Sequence, residues 1–212
     1  FYSEHIPPKE VIVSQPLENG EFLEEALGTH INTYQKGAKA KLLSNVLDNA
    51  YASIDRKMAM EASVKSNLEE MQRVFDLPRL PQRIEIYDNS HIQGSYAIGA
   101  MVVATPEGFD KKSYRTFNIK NSEITNDDFA MMKEVLTRRF NRMAPENRPD
   151  VILLDGGLGQ LHAVHEALKD FDLTGISIIA ISKGPERNAG KEFYHQLGKE
   201  SFALPFQSPI AF

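Results

Sequence analysis

Residues 83–94 read RIEIYDNSHIQG. Ile84, Ile86 and Asp88 stand two apart, so an extended chain puts them on one face. Two isoleucines on that face belong in a core. A carboxylate third in line does not, unless the face ends there or the charge has a use. Residues 151–155, VILLD, pose the same question. Four apolar residues in a row mark a strand buried on both faces, and the run again closes on an aspartate. SIIAIS, 177–182, reads as another buried strand.

The rest of the architecture follows outward from these runs. The alternation predicts strands over 83–88, 96–104 and 113–120, separated by loops rich in Gly, Pro and Asp, hence an antiparallel meander. A helix is expected over 126–143 with Asn126 as its N-cap. A second is expected from about 158 to 171, with Leu158, Leu161, Val164, Ala167 and Leu168 on one face. FYHQL, 193–197, and SFALP, 201–205, read as a hairpin around Gly198. The order β-β-β-α-β-α-β predicts an α/β fold, a mixed sheet with helices on its faces, joined by right-handed crossovers.

Upstream, Pro7 and Pro8 mark an extended linker. VIVS, 11–14, is a short strand and 20–28 a short helix closed by Gly28. From Ala38 to Phe75 the pattern is helical: Leu42, Leu43, Val46, Leu47, Ala50 and Ile54 recur at steps of three and four. Such a long helix packs along a domain or joins two. Its outer side mixes charges and reads as a solvated face, or as a docking surface. Pro78 and Pro81 end it. The expected division is an amino-terminal extension, 1–79, and an α/β domain, 80–212.

Of the 212 residues, 42% are hydrophobic and 25% charged, which suits a soluble protein with a sizeable core. No run is long and apolar enough for a membrane span, and no signal peptide is visible. There is no cysteine, which excludes disulfides and thiolate metal sites and fits a reducing, cytoplasmic setting. The net charge of -5 gives no global basic footprint, so any nucleic-acid contact must be local. The chain starts FYSEHIPPKE without Met and stops at SPIAF, and reads as a piece of a longer protein.

If the strands ending at Asp88 and Asp155 lie side by side and parallel, both carboxylates emerge at one sheet edge, where α/β sheets build their sites. Two close carboxylates repel unless a cation or proton intervenes. Oxygen-only ligands suit Mg²⁺ or Mn²⁺. Gly156 and Gly157 clear side chains from the place a phosphate backbone would approach. Against this, an aspartate at a strand end before Gly-Gly is often a turn or cap. Asp128, in a first helical turn, is favoured there by the helix dipole alone.

YDNSHIQG at 87–94, SYRTFNIK at 113–120, DDFAMMKEVLTRRF at 127–140 and LLDGGLGQL at 153–161 closely resemble the carboxy-terminal half of the UvrC family, the nuclease subunit of bacterial nucleotide excision repair. The resemblance implies an RNase H-like fold for about 80–212. It also implies a metal-dependent endonuclease using Mg²⁺ or Mn²⁺, which cuts damaged DNA on the 5′ side of a lesion. The family's D-x-S-H aspartate falls on Asp88, its D-G-G-x-G-Q aspartate on Asp155 and its D-D-[YF] aspartate on Asp128. Asp88 and Asp155 become the expected metal ligands, with Asp128 a third catalytic residue. Damaged double-stranded DNA and UvrB become the expected partners, with UvrA upstream. The family's catalytic histidine lies on a helix beyond the S-P-A sequence, and none of His91, His162, His165 or His195 occupies its motif. The family's helix-hairpin-helix region, GIY-YIG nuclease domain and UvrB-binding segment are not within these residues. Little or no incision is expected from this chain alone.

His91, three residues after Asp88, can face a phosphate or merely hold the turn. His162 and His165 stand i,i+3 on a helix, which can be metal spacing, but they flank its apolar face at the surface and no third ligand of matching type is evident, so no zinc site is expected. Arg138, Arg139 and Arg142 complement the helix dipole. They can also contact DNA phosphates, as can Arg115, Lys120 and Lys183. Arg115 and Lys120 are favoured, since they lie in a motif shared with the family. Gln160 either orients a ligand or caps its helix. Met131 and Met132 read as core. Two other readings stand beside the nuclease: a phosphate-binding module built on GGLGQ, which lacks both the G-x-G-x-x-G pattern and a Walker lysine, and a noncatalytic RNase H-like scaffold.

Overall fold

The computed structural model describes residues 2–92, 95–120, 127–184, 192–205 and 208–210, with side chains omitted at 91, 92, 95 and 96. The chain divides into two compact units, Phe1–Met60 and Glu61–Phe212.

In the first unit β1 (Glu10–Ile12) pairs in parallel with β2 (His30–Asn32), a strand that sequence pattern did not signal. Between them α1 (Gly20–Leu27) ends where Gly28 takes the left-handed conformation, φ 64°. The Glu10 carboxylate gathers Asn32 Nδ2 at 3.0 Å, Tyr34 Oη at 2.6 Å and the Lys39 ammonium. The Lys39 hydrogen bond is the largest of the effects that pull its pKa down to about 2.

Helix α2 (Ala38–Phe75) has the predicted bounds, but its early periodic apolar positions are not covered. Leu42, Val46 and Ile54 are exposed, and the helix's buried residues are Leu68, Met71 and Phe75. That difference explains the unit boundary. The stretch from Glu61 to Phe75 carries apolar groups that the sheet needs, so it belongs with the sheet although it precedes Pro78.

The second unit is built on an eight-stranded sheet of order β10-β9-β8-β7-β3-β4-β5, with β6 also paired to β4. The strands are β3 (Ile84–Ile92), β4 (Ser95–Thr105), β5 (Gly108–Phe109), β6 (Arg115–Asn118), β7 (Val151–Asp155), β8 (Ser177–Ser182), β9 (Phe193–His195) and β10 (Phe202–Ala203). β3, β4 and β6 form the expected antiparallel meander. β3, β7 and β8 run parallel through the centre, as their apolar runs require. β9 and β10 form the expected hairpin, with Gly198 at φ 73°.

Two cores cover the two faces. On one, α3 (Asp128–Phe140) and α4 (Leu158–Leu168) pack Met132, Val135, Leu136, Leu161 and Val164 on Tyr87, Val103, Ile152 and Leu154. On the other, Leu68, Met71 and Phe75 cluster with Ile84, Val151, Leu153 and Ile179. Met131 and Met132 are buried as read. Helix α3 is shorter than expected. Asp127, not Asn126, is its N-cap, its carboxylate accepting from the N–H groups of Phe129 and Ala130 at 3.0 Å. Asn126 itself lies outside the described residues. The helix sits close to β4 because position 99 has no side chain: a Cβ there would stand 2.4 Å from Val135 Cγ2.

Candidate active site

The register of β3 against β7 pairs Ile84 with Val151, Ile86 with Leu153 and Tyr87 with Leu154. One step further on each strand are Asp88 and Asp155. Alternation puts both on the face of Ile84, Ile86, Val151 and Leu153, just past the apolar cluster there. Both are exposed. The opening oddity is resolved by place: the third position of the apolar face is where that face stops. One detail differs from expectation. Asp88 does not end its strand, because β3 continues to Ile92 against β4; what ends at Tyr87 is its pairing with β7.

This register is fixed at the far end of the strands by Asp150. Its buried carboxylate accepts from Gln82 N at 2.7 Å, Arg83 N at 3.0 Å and Arg79 Nε at 2.6 Å. Its own N–H donates to Arg83 O at 2.8 Å. A slip of one residue would turn every side chain of β3 to the opposite face. The clamp therefore helps decide that Asp88 stands beside Asp155.

The electrostatics agree with that geometry. Although the residue is exposed, the loss of water around its carboxyl where the protein crowds it, and then the charge of Asp155, push Asp88 above its ordinary range, and Asp128 adds a smaller push the same way. The Asn89 N–H and the Lys183 charge pull against them. Asp128 thus lies within electrostatic reach of the pair, brought there as Asn89 Nδ2 donates to the Asp128 carbonyl at 3.1 Å. Lys183 lies two residues beyond Ile181, the partner of Asp155 on β8.

Like charges held together at a strand edge, with oxygen donors only, suit Mg²⁺, which accepts one or two carboxylates and keeps waters. Among the described residues no group of three acidic or histidine side chains forms a ready-made metal cage. The donor set fits such an ion through two carboxylates and water, not through an all-protein cage.

After Asp155, Gly156 and Gly157 lead into α4. A Cβ on Gly156 would fall 1.4 Å from Gln160 Oε1, so the buried Gln160 side chain lies over that glycine. The first glycine makes room for Gln160. His162 and His165 are exposed on α4, as expected. His195 is buried, its ring nitrogens bonded to Ser182 Oγ at 2.8 Å and Ser201 Oγ at 2.6 Å. The side chain of His91 lies outside the described residues.

Of the basic candidates, Arg115, Arg138 and Arg139 line a common groove on the α3 side of the sheet. Lys120 is exposed, and its N–H donates to Glu134 Oε1 at 3.0 Å. Arg115 is exposed on β6, with Nη1 donating to the carbonyls of Lys112 and Tyr114. Arg138 pairs with Glu134 at 3.0 Å. Arg139 forms a two-pronged pair with Glu85, Nη2 to Oε1 at 2.6 Å and Nε to Oε2 at 3.2 Å, so its fork is occupied within the fold. Sequence reasoning missed Glu85, which is 0% exposed. In RIEIYD it looks like the polar side of an amphipathic strand, and only a covering helix that brings an arginine reveals its burial.

A central parallel β3-β7-β8 core flanked by antiparallel strands, with helices on both faces and acidic residues past the parallel register, is the architecture of an RNase H-like α/β domain. Residues 72–212 match the model of the UvrC RNAse H endonuclease domain, and residues 1–57 that of the UvrC ribonuclease H-like domain. The chain belongs to the UvrC RNase H endonuclease domain family. It is 47% identical to UvrABC system protein C of Maricaulis maris, over 100% of this chain and 36% of that protein. It is 45% identical to UvrABC system protein C of Hyphomonas neptunium, over 100% of this chain and 37% of that protein. The chain thus spans little more than a third of these relatives. Among solved structures, the catalytic domain of human endonuclease V shows a distant likeness: TM-score 0.37 and 17% identity, over 63% of this chain and 59% of that one.

Proposed function

We propose that this chain is a divalent-metal-dependent DNA endonuclease domain of excision repair, with Asp88 and Asp155 as the metal ligands and Asp128 as an accessory carboxylate. One observation carries the reading: the parallel register ending at Tyr87 and Leu154 delivers two mutually repelling carboxylates to adjacent positions on one face. A bound Mg²⁺ or Mn²⁺ would supply charge neutralisation at a phosphate and an activated water. The chain's own part is to hold the two carboxylates side by side from rigid strands, to add a third negative charge from the start of α3, and to keep the cation of Lys183 nearby.

The rest of the reading comes from the family. The cut falls on the 5′ side of a lesion in double-stranded DNA, in the cytoplasm, with UvrB as the partner that presents the substrate and UvrA acting earlier. Incision by this chain alone is expected to be weak, because none of His91, His162, His165 or His195 matches the motif of the family's catalytic histidine. A phosphate-binding module built on GGLGQ is disfavoured, since Gln160 occupies the space over Gly156.

Titration of Mn²⁺ into the chain by calorimetry tests the proposal, together with a nicking assay on a lesion-bearing duplex. Weak binding that both Asp88→Ala and Asp155→Ala abolish supports it. Binding that survives both substitutions overturns it.

A further inference from the structure

On the α3 side of the sheet, near the start of β3, a groove of about 320 Å³ is lined by Arg83, Arg115, Arg138, Arg139 and Arg142 around Phe117. Five guanidinium groups in one groove are conspicuous in a chain of net charge -5. Three carboxylates lie among or against them. Glu85 is shared by Arg83, at 3.0 Å, and Arg139, at 2.6 Å; Glu134 pairs with Arg138 at 3.0 Å. Asp110 accepts from Ser113 Oγ on the groove's lining and feels the charge of Arg83. Two positive charges are left over. Arg142 is exposed just past the end of α3, and Arg115 is exposed on β6, its Nη1 donating to the carbonyls of Lys112 and Tyr114.

The groove is also built rigidly. Glu85 has no exposure and accepts four hydrogen bonds, from Arg83, from Tyr87 Oη and twice from Arg139. The buried carboxylate anchors Arg83 and Arg139, which form a fixed wall of the groove. Arg138 lies over the Phe117 ring, 5.7 Å from its centroid. Binding of a phosphate then falls to Arg115 and Arg142, exposed guanidinium groups that hold their charge at any physiological pH.

The groove is distinct from the carboxylate edge. Arg83, just before β3, stands five residues from Asp88, about 16 Å along an extended strand, while Arg115 is level with Tyr87 through Met101, two strands to the side; both lie on the face opposite to Asp88. A phosphate held there is not the one that the carboxylates would cleave. We propose that the arginine groove is a second binding site for phosphates of a DNA backbone, holding the duplex away from the bond that is cut. This inference rests on the nuclease reading for its choice of DNA.

The test is duplex binding by fluorescence anisotropy in EDTA, over a salt series, with a lesion-free duplex. EDTA removes any contribution of metal at Asp88 and Asp155, so the groove is read separately from the carboxylate site. Arg115→Ala and Arg142→Ala are the informative variants, because neither side chain supports the buried Glu85. Each should weaken binding, and the double variant should do so about tenfold. Each lost phosphate contact should also flatten the slope of log K against log salt by about 0.9. Unchanged affinity and slope in the double variant would overturn the proposal and leave the groove to an acidic protein surface. Variants that lose pyrophosphate binding by calorimetry but keep duplex affinity and slope also overturn it, assigning the groove to a small phosphate compound. If Asp88→Ala still binds Mn²⁺ while the arginine variants lose DNA, the nuclease reading fails and the groove stands.

Discussion

Glu85 and Asp88 are three residues apart on one strand, and they are opposites. Glu85 is buried under α3 and satisfied by two arginines and a tyrosine. Asp88 emerges on the other face beside Asp155 and within reach of Asp128, with Lys183 as its moderating cation. A carboxylate whose every lone pair is answered from within the chain holds the structure together. One whose neighbours repel it is kept for something the chain does not contain. Sequence alone shows only one of the two: Asp88 stands out at the end of an apolar face, while Glu85 looks like the polar side of an amphipathic strand.

The largest effect expected from breaking this contrast is at Asp88 and Asp155. Either replaced by Asn should lower Mn²⁺-supported nicking at least about 100-fold, the scale on which a single transition-state charge stabiliser acts. Folding stability should hold or rise, since a repulsion is removed; thermal melts of the two variants check this. Arg139→Ala should do the reverse. It strips Glu85 of its two-pronged partner and should cost about 3–5 kcal/mol, the range for breaking a buried ion pair, measured by urea unfolding.

Asp150→Ala sharpens the comparison from a distance. It frees two backbone N–H groups where β3 begins, and should cost about 1–3 kcal/mol. Because that clamp steadies the register, Mn²⁺ affinity should fall as well, although residue 150 is nowhere near the ion.

The smallest effect concerns His195, another buried titratable group. Burial lowers its pKa below the ordinary 6.5, so the folded chain favours the neutral ring. Its contribution to stability is complete above about 6.5 and lost as pH falls through the lower folded value. Melting temperatures across that interval should drop more for the parent chain than for His195→Gln.

The central sheet was legible because its strands are written as uninterrupted apolar runs. VILLD and SIIAIS have the bounds read from the sequence, and the 38-residue helix does too. The burial of that helix was not legible. Leu42, Val46 and Ile54 carry the right period, but periodicity says which residues share a face and not whether anything covers it. β2 is three residues long, too short for alternation to register. Asp127 and Asn126 are chemically equivalent caps, and only the backbone distinguishes them. The two aspartates could be named from their strands, but their adjacency is a property of strand order, which pairs residues 67 apart. Arg138 and Arg139 were visible as charges. That they look away from the aspartates depends on which face α3 covers.

The bare backbone at Gly99 limits how this domain can change. Even a methyl group there would lift α3 from the sheet through Val135, and α3 carries Asp128 at one end and Arg138 and Arg139 near the other. Both ends of the helix would shift on one pivot. Drift at this position would disturb two distant chemistries together, so each lineage that keeps either has reason to keep the hydrogen atom.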